Sequence, residues 1–277
     1  MIPPFVDEAW LSEHPDAVLA DVRWYSDDRE PGAEYAVGHI PGAVYVDLER
    51  WLAGPAADAE GRHPLPDPEV FAEGMRRAGI GDADTVVAYD DAGGVIAARL
   101  VWLLRALGQP AALLDGGLRT WRGPVARGEH HRPPSTFAAR PWPTDRLADV
   151  DEVARLADGE AAELLLDARP AERYAGAPDG LDSRFGHIPG ARSLPCRENL
   201  TTDGRLLPVR ELRDRFAAAG VTQEGPTVVS SCGSGVTACH TLLVLEHLGY
   251  PAGRLYPGSW SQWSGSDRPA VTGSAPR

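Results

Sequence analysis

The strongest chemical signal in this chain is a cysteine set among glycines at the end of an apolar run. Thr227-Val228-Val229-Ser230-Ser231 reads as a buried strand, Cys232-Gly233-Ser234-Gly235-Val236-Thr237 as a turn, and Val236 to Leu248 as a helix. In open α/β sheets, sites form beyond the carboxyl ends of the strands. Two glycines let successive backbone N–H groups turn inward as an anion-binding nest, and the helix N-terminus adds its dipole. A thiol at the lip of that nest is favoured as the nucleophilic thiolate. Gly233, Gly235, Val236 and Thr237 would then supply the backbone that receives negative charge. The competing reading is a structural cysteine beside a tight turn, because buried cysteine is common.

The elements that must position this loop occur twice. Gly38-His39-Ile40-Pro41-Gly42-Ala43 recurs as Gly186-His187-Ile188-Pro189-Gly190-Ala191. Upstream, Val18 to Arg23 (VLADVR) parallels Leu164 to Arg169 (LLLDAR), and downstream Phe71 to Ile80 parallels Leu212 to Val221. A match of this length marks a duplication. Strands are expected over Val18–Val22, Thr85–Tyr89 and Ala111–Leu114 in the first copy, and over Leu164–Ala168, Thr227–Ser231 and Arg254–Tyr256 in the second. Helices are expected over Pro68–Ala78, Ala97–Leu107, Val209–Ala219 and Val236–Leu248, with Gly79, Gly108, Gly220 and Gly249 placed as C′ glycines. Strand–helix alternation implies, in each copy, a parallel β-sheet flanked by helices on both faces: an α/β fold with two tandem domains. The expected division is a first domain at 1–122, a proline-rich linker at 123–145, and a second domain at 146–277. At the position of Cys232 the first copy is read as carrying Asp91, so only the second can hold a nucleophile. The polar stretch from Ser264 onward reads as a tail or wrap-around segment.

Composition narrows the classes. The chain has 277 residues, 40 acidic against 27 basic side chains, a formal charge of −13, and 3 cysteines; every basic residue other than histidine is arginine. That balance argues against nucleic-acid binding, which needs a basic stripe. No apolar run approaches a membrane span. The opening residues lack the pattern of an export signal, and so few cysteines do not make a disulfide scaffold, so a cytoplasmic location is the expectation. Cys239, seven residues after Cys232 and inside the helix that follows, reads as core, and Cys196 as undecided. No metal-ligand spacing appears, His130-His131 is expected to be solvated, and no cofactor is implied.

Two copies bearing GHIPGA, the CGSGVTA loop at Cys232, and Tyr256 to Trp263 (YPGSWSQW) together resemble the two-domain rhodanese sulfurtransferases, over about Phe5 to Gly265. The resemblance implies transfer of a sulfane sulfur through a Cys232 persulfide. Members preferring thiosulfate carry basic residues directly after the cysteine. This loop has none and is similar to the 3-mercaptopyruvate branch, whose donor is a monocarboxylate. The implied acceptors are cyanide, a thiol or a thioredoxin-like protein. The family pattern places a carboxylate-binding arginine at Arg173, in keeping with the bidentate chemistry of guanidinium, and a second before GHIPGA, for which Arg184 is the nearest candidate and a surface ion pair the alternative. Arg169 is expected to pair with Asp167. The branch also implies a Ser–His–Asp relay, matched by Ser234, by His39 and by Asp28 with Asp27 as alternative. His39 reads equally as a turn histidine, because His187 repeats it. The rivals are a thiosulfate sulfurtransferase, a non-catalytic binding or sensing module, and a cysteine phosphatase. The last needs Cys-x5-Arg, and the sixth residue after Cys232 is Ala238.

Overall fold

A computed structural model describes residues 2–178 and 180–276. Met1 and Arg277, the outer ends of the expected domain ranges, lie outside the described residues. The chain forms two compact units. The first comprises Met1–Gly54, Leu65–Trp142 and Leu200–Leu206, the second Pro55–Pro64, Pro143–Asn199 and Leu207–Arg277.

The first unit holds strands β1 (Phe5–Val6), β2 (Val18–Asp21), β3 (Val44–Tyr45), β4 (Val86–Tyr89) and β5 (Ala111–Leu114), and helices α1 (Glu8–Glu13), α2 (Pro31–Val37), α3 (Pro68–Arg77), α4 (Ala98–Ala106) and α5 (Gly117–Thr120). Its five strands pair in the order β1-β5-β4-β2-β3, all parallel. The second unit holds α6 (Val150–Asp158), β6 (Leu164–Asp167), α7 (Ala171–Ala175), β7 (Arg192–Ser193), α8 (Val209–Ala218), β8 (Val228–Ser231), α9 (Ala238–His247), β9 (Arg254–Leu255) and α10 (Ser259–Ser264). Its sheet is also parallel, in the order β7-β6-β8-β9. Every residue of β4, β5, β6 and β8 is buried, as a parallel sheet covered on both faces requires.

The expected strands and helices all form, each within two residues of its expected ends. Gly79, Gly108, Gly220 and Gly249 all take positive φ just past their helices. Helix α9 starts at Ala238 rather than Val236, because Val236 and Thr237 still belong to the cysteine loop.

The stretch read as a linker is instead, as far as Trp142, part of the first unit. The Phe137 side chain is buried and meets Phe71 edge-on at 5.7 Å, Trp142 meets the same ring at 5.2 Å, and Ala126 pairs backbone to backbone with His39. The tail does the matching thing in the second unit, where Val271 pairs with His187 and Gly190 N–H donates to the Pro276 carbonyl. A turn edge left unpaired at these positions would bury unsatisfied backbone groups, so each copy brings its own trailing segment to cover it.

Candidate active site

Cys232 follows β8 directly. Its backbone N–H donates to Ser259 Oγ at 3.0 Å, and that hydroxyl donates to the Tyr256 carbonyl at 2.8 Å. Trp260 N–H donates to the Cys232 carbonyl and Ser261 N–H to that of Gly233. The loop is thus fastened to the start of α10 along its length. Ser259 sits at φ +52, a left-handed conformation uncommon for a residue with a Cβ, held by those bonds. Within the loop, Gly235 N–H points at Cys232 Sγ at 3.1 Å. Gly235 takes φ +77, and a Cβ there would lie 2.3 Å from the Pro257 carbonyl oxygen, so only glycine fits. Cys232 is 2% exposed, in a setting from which bulk water is largely excluded.

The first copy shows what such a loop does with a negative group. Val22 N–H bonds the Tyr89 carbonyl as Ala168 N–H bonds that of Ser231, and Leu118 N–H bonds the Asp90 carbonyl as Trp260 N–H bonds that of Cys232. The residue matching Cys232 is therefore Asp90, not Asp91. The identity of the acidic residue is corrected by one position because the first loop is longer. The Asp90 carboxylate accepts four backbone N–H groups, from Ala92 and Gly94 on one oxygen and from Ile96 and Ala97 on the other, at 2.7–2.9 Å. Burial raises its pKa, with these four bonds opposing. Asp91 instead accepts from the Tyr25 hydroxyl at 2.6 Å. The nest of the first unit is filled by its own side chain.

Two arginines reach the Cys232 loop. A methyl group placed on Gly233 would lie 3.2 Å from Arg62 Nη2 and 3.6 Å from Arg173 Nη2. Arg173, the arginine that the resemblance implied, is carried by α7. Arg62 was not foreseen. Both donate to the Asp182 carboxylate, Arg173 from Nη2 at 3.2 Å and Arg62 from Nη1 in a short contact. Arg184 has a different task. Its Nε, Nη1 and Nη2 donate to the carbonyls of Ser264, Arg268 and Trp263 at 2.8–2.9 Å, closing the C-terminal end of α10. Each of its three nitrogens thus already serves a backbone carbonyl of the second unit.

The Ser234 hydroxyl lies 2.7 Å from Nδ1 of His63, a buried ring, rather than against His39. The segment Pro55–Pro64, part of the second unit, delivers both Arg62 and His63. It turns back at Ala57 and Gly61, and Arg62 N–H donates to Ser261 Oγ at 3.1 Å. A Cβ on Gly61 would lie 2.8 Å from the Gly258 carbonyl, so the turn lies flat on the start of α10.

His39 belongs to the first unit's turn. It stacks on Tyr35 at 4.1 Å and its Nδ1–H donates to the Tyr35 carbonyl at 3.1 Å. His187 repeats this on Tyr174, at 3.7 Å and 2.9 Å. Arg23 with Asp21, and Arg169 with Asp167, pair at 2.7 Å beneath the two turns, so the expected Arg169 pair forms. These duplicated groups build the fold. Asp28 is exposed on the segment between β2 and α2, and Asp27 pairs with Arg29. Of the expected relay, Ser234 alone stands at the loop, and its partner histidine is supplied by a different segment.

Of the other thiols, Cys239 donates to the Gly235 carbonyl at 3.4 Å, behind the loop. Burial pushes the Cys196 thiol up to about 12, against the pull of Arg197, with Cys232 adding to the rise. Among the described residues no group of three or more histidine, cysteine or acidic side chains is placed to hold a metal, and no helix is long and apolar enough to cross a membrane.

The model of the rhodanese-like domain matches residues 8–123 and 149–266. A Pseudomonas aeruginosa protein named "Probable 3-mercaptopyruvate sulfurtransferase" is 42% identical over 274 residues, covering 96% of this chain and 95% of its own. The 3-mercaptopyruvate sulfurtransferase of Escherichia coli is 38% identical over 273 residues, with 94% of each chain covered. Among solved structures, the 3-mercaptopyruvate sulfurtransferase from Leishmania major superposes with a TM-score of 0.84 at 31% identity, covering 96% of this chain and 75% of that one.

Proposed function

The chain belongs to the rhodanese-like family, and on that premise we propose that it is a sulfurtransferase that takes sulfur from 3-mercaptopyruvate onto Cys232 and passes it to cyanide or a thiol. The observation that carries this reading is the convergence on one loop of a cysteine, a serine–histidine pair and two arginines.

In the proposed reaction Arg62 and Arg173 hold the donor's carboxylate above Gly233, setting its thiol sulfur against Cys232 Sγ. The thiolate attacks that sulfur, the bond between sulfur and C3 breaks, and its electron pair passes into the enolate of pyruvate. The thiol proton of the donor moves to C3 through Ser234 and His63, giving pyruvate and leaving Cys232 as a persulfide anion. The acceptor then takes the outer sulfur and the Cys232 thiolate returns. The four N–H groups gathered on Asp90 in the duplicate loop indicate how the persulfide charge would be met by backbone donors.

The test is thiocyanate formation from cyanide with either donor. The proposal expects turnover with 3-mercaptopyruvate to exceed that with thiosulfate, and Cys232→Ser to abolish both. Equal or greater turnover with thiosulfate would overturn the choice of donor, and full activity in the variant would overturn the mechanism.

A further inference from the structure

The residue between the two arginines has no part in the chemistry just described. The Asp182 side chain is 2% exposed, whereas those of Arg62 and Arg173 are 29% and 21% exposed. A buried carboxylate thus faces two guanidinium groups that also reach the mouth of the Cys232 loop, Arg62 through its other nitrogen Nη2 and Arg173 through the same Nη2 that bonds Asp182. The neighbouring Asp167–Arg169 pair is closed on itself at 2.7 Å, so it adds little net charge.

We propose that Asp182 determines donor specificity: its carboxylate offsets part of the charge of the Arg62–Arg173 clamp and so sets the site for a singly charged sulfur donor over a doubly charged one. The inference rests on the sulfurtransferase reading given above. Only the difference made by one charge matters here. A fixed negative charge behind the clamp repels any anion bound in front of it, in proportion to the anion's charge. Thiosulfate, a dianion, therefore feels twice the repulsion that the carboxylate of 3-mercaptopyruvate feels. Removing the Asp182 charge helps both donors and helps the dianion more. The same logic reverses for Arg62, whose removal costs the dianion more. The loop itself holds no cation after Cys232 that would restore affinity for a dianion.

The experiment measures kcat/KM for thiosulfate and for 3-mercaptopyruvate, with cyanide as acceptor, in the full-length wild type and in Asp182→Asn, Asp182→Glu and Arg62→Gln. Asparagine keeps the size and an acceptor oxygen for the arginines but lacks the charge. Expected is a rise of roughly tenfold in the thiosulfate to 3-mercaptopyruvate ratio in Asp182→Asn, expressed mainly in the KM for thiosulfate. The ratio should return towards wild type in Asp182→Glu and fall below it in Arg62→Gln. A ratio unchanged in Asp182→Asn, with both donors affected alike, would overturn the proposal and leave Asp182 a structural residue. The sulfurtransferase reading fails separately, and takes this inference with it, if the wild type turns over neither donor.

Discussion

Ser234 Oγ and His63 Nδ1 lie 2.7 Å apart although 171 positions separate them in the chain. The relationship defines the site. It joins a loop of the second sequence repeat to a short segment from the first half, and both belong to one compact unit. It also separates two histidines, one beside the nucleophile's loop and one that braces a turn.

His63→Gln is expected to lower kcat with 3-mercaptopyruvate by about a hundredfold, the lower range for a positioned proton-transfer group. Thiosulfate releases sulfite and needs no protonated carbon, so its turnover should fall far less. Steady-state rates with the two donors check this, and an equal loss with both would assign His63 to loop geometry alone.

His39→Ala should instead cost stability, by about 1–3 kcal/mol for a buried ring that loses its stacking and its hydrogen bond, with kcat unchanged. Denaturant unfolding alongside the thiocyanate assay distinguishes the two histidines.

The arginines divide in the same way. Arg173→Gln should reduce kcat/KM for 3-mercaptopyruvate by about a hundredfold through loss of a charged carboxylate contact, at a cost in stability of about 1 kcal/mol, since Arg62 still pairs with the buried Asp182. Arg184→Met should lower stability by about 2 kcal/mol, because the carbonyls of Trp263 and Ser264 at the end of α10, and that of Arg268 beyond it, each lose a charged donor.

Acid should weaken the second unit through His240. Burial, with the Arg197 charge adding to it, lowers this ring's pKa to about 3 from an ordinary 6.5. Below pH 6.5 the unfolded chain takes up a proton that the folded ring does not, so stability falls as pH falls through that window and is fully present above it. Between pH 7 and pH 5 the loss is about 2 kcal/mol. Denaturant titrations at the two pH values should show it in the wild type and show it abolished in His240→Leu.

Much of the fold could be read from the chain because its signals are local. Apolar runs such as Ala111–Leu114 are strands whichever neighbours they find, and Gly249 ends a helix through its own positive φ. The nucleophile was legible for the same reason: strand, glycine turn and helix stand in consecutive residues around Cys232. Arg173 was legible only through family resemblance, since one arginine among 27 carries no local mark. What was missed depends on contacts distant in sequence. His39 took the relay role only through the family resemblance, and its repetition as His187 already pointed to a residue that builds the fold. His63 and Arg62 stand in a stretch, between the first GHIPGA motif and α3, that runs longer than its counterpart in the second copy, and this mismatch between repeats was the one available clue. Arg184 misled by proximity to the motif. Asp91 was one residue off because a loop insertion cannot be aligned without the sheet register that places Asp90.

If Cys232 carries the transferred sulfur, the mass of the intact protein will record it. The protein is incubated with 3-mercaptopyruvate without acceptor, then with cyanide added. A gain of one sulfur atom per chain is expected, lost on adding cyanide as thiocyanate forms, with no gain in Cys232→Ser. An unmodified wild type that still forms thiocyanate, or a sulfur adduct that persists in the variant, would contradict it.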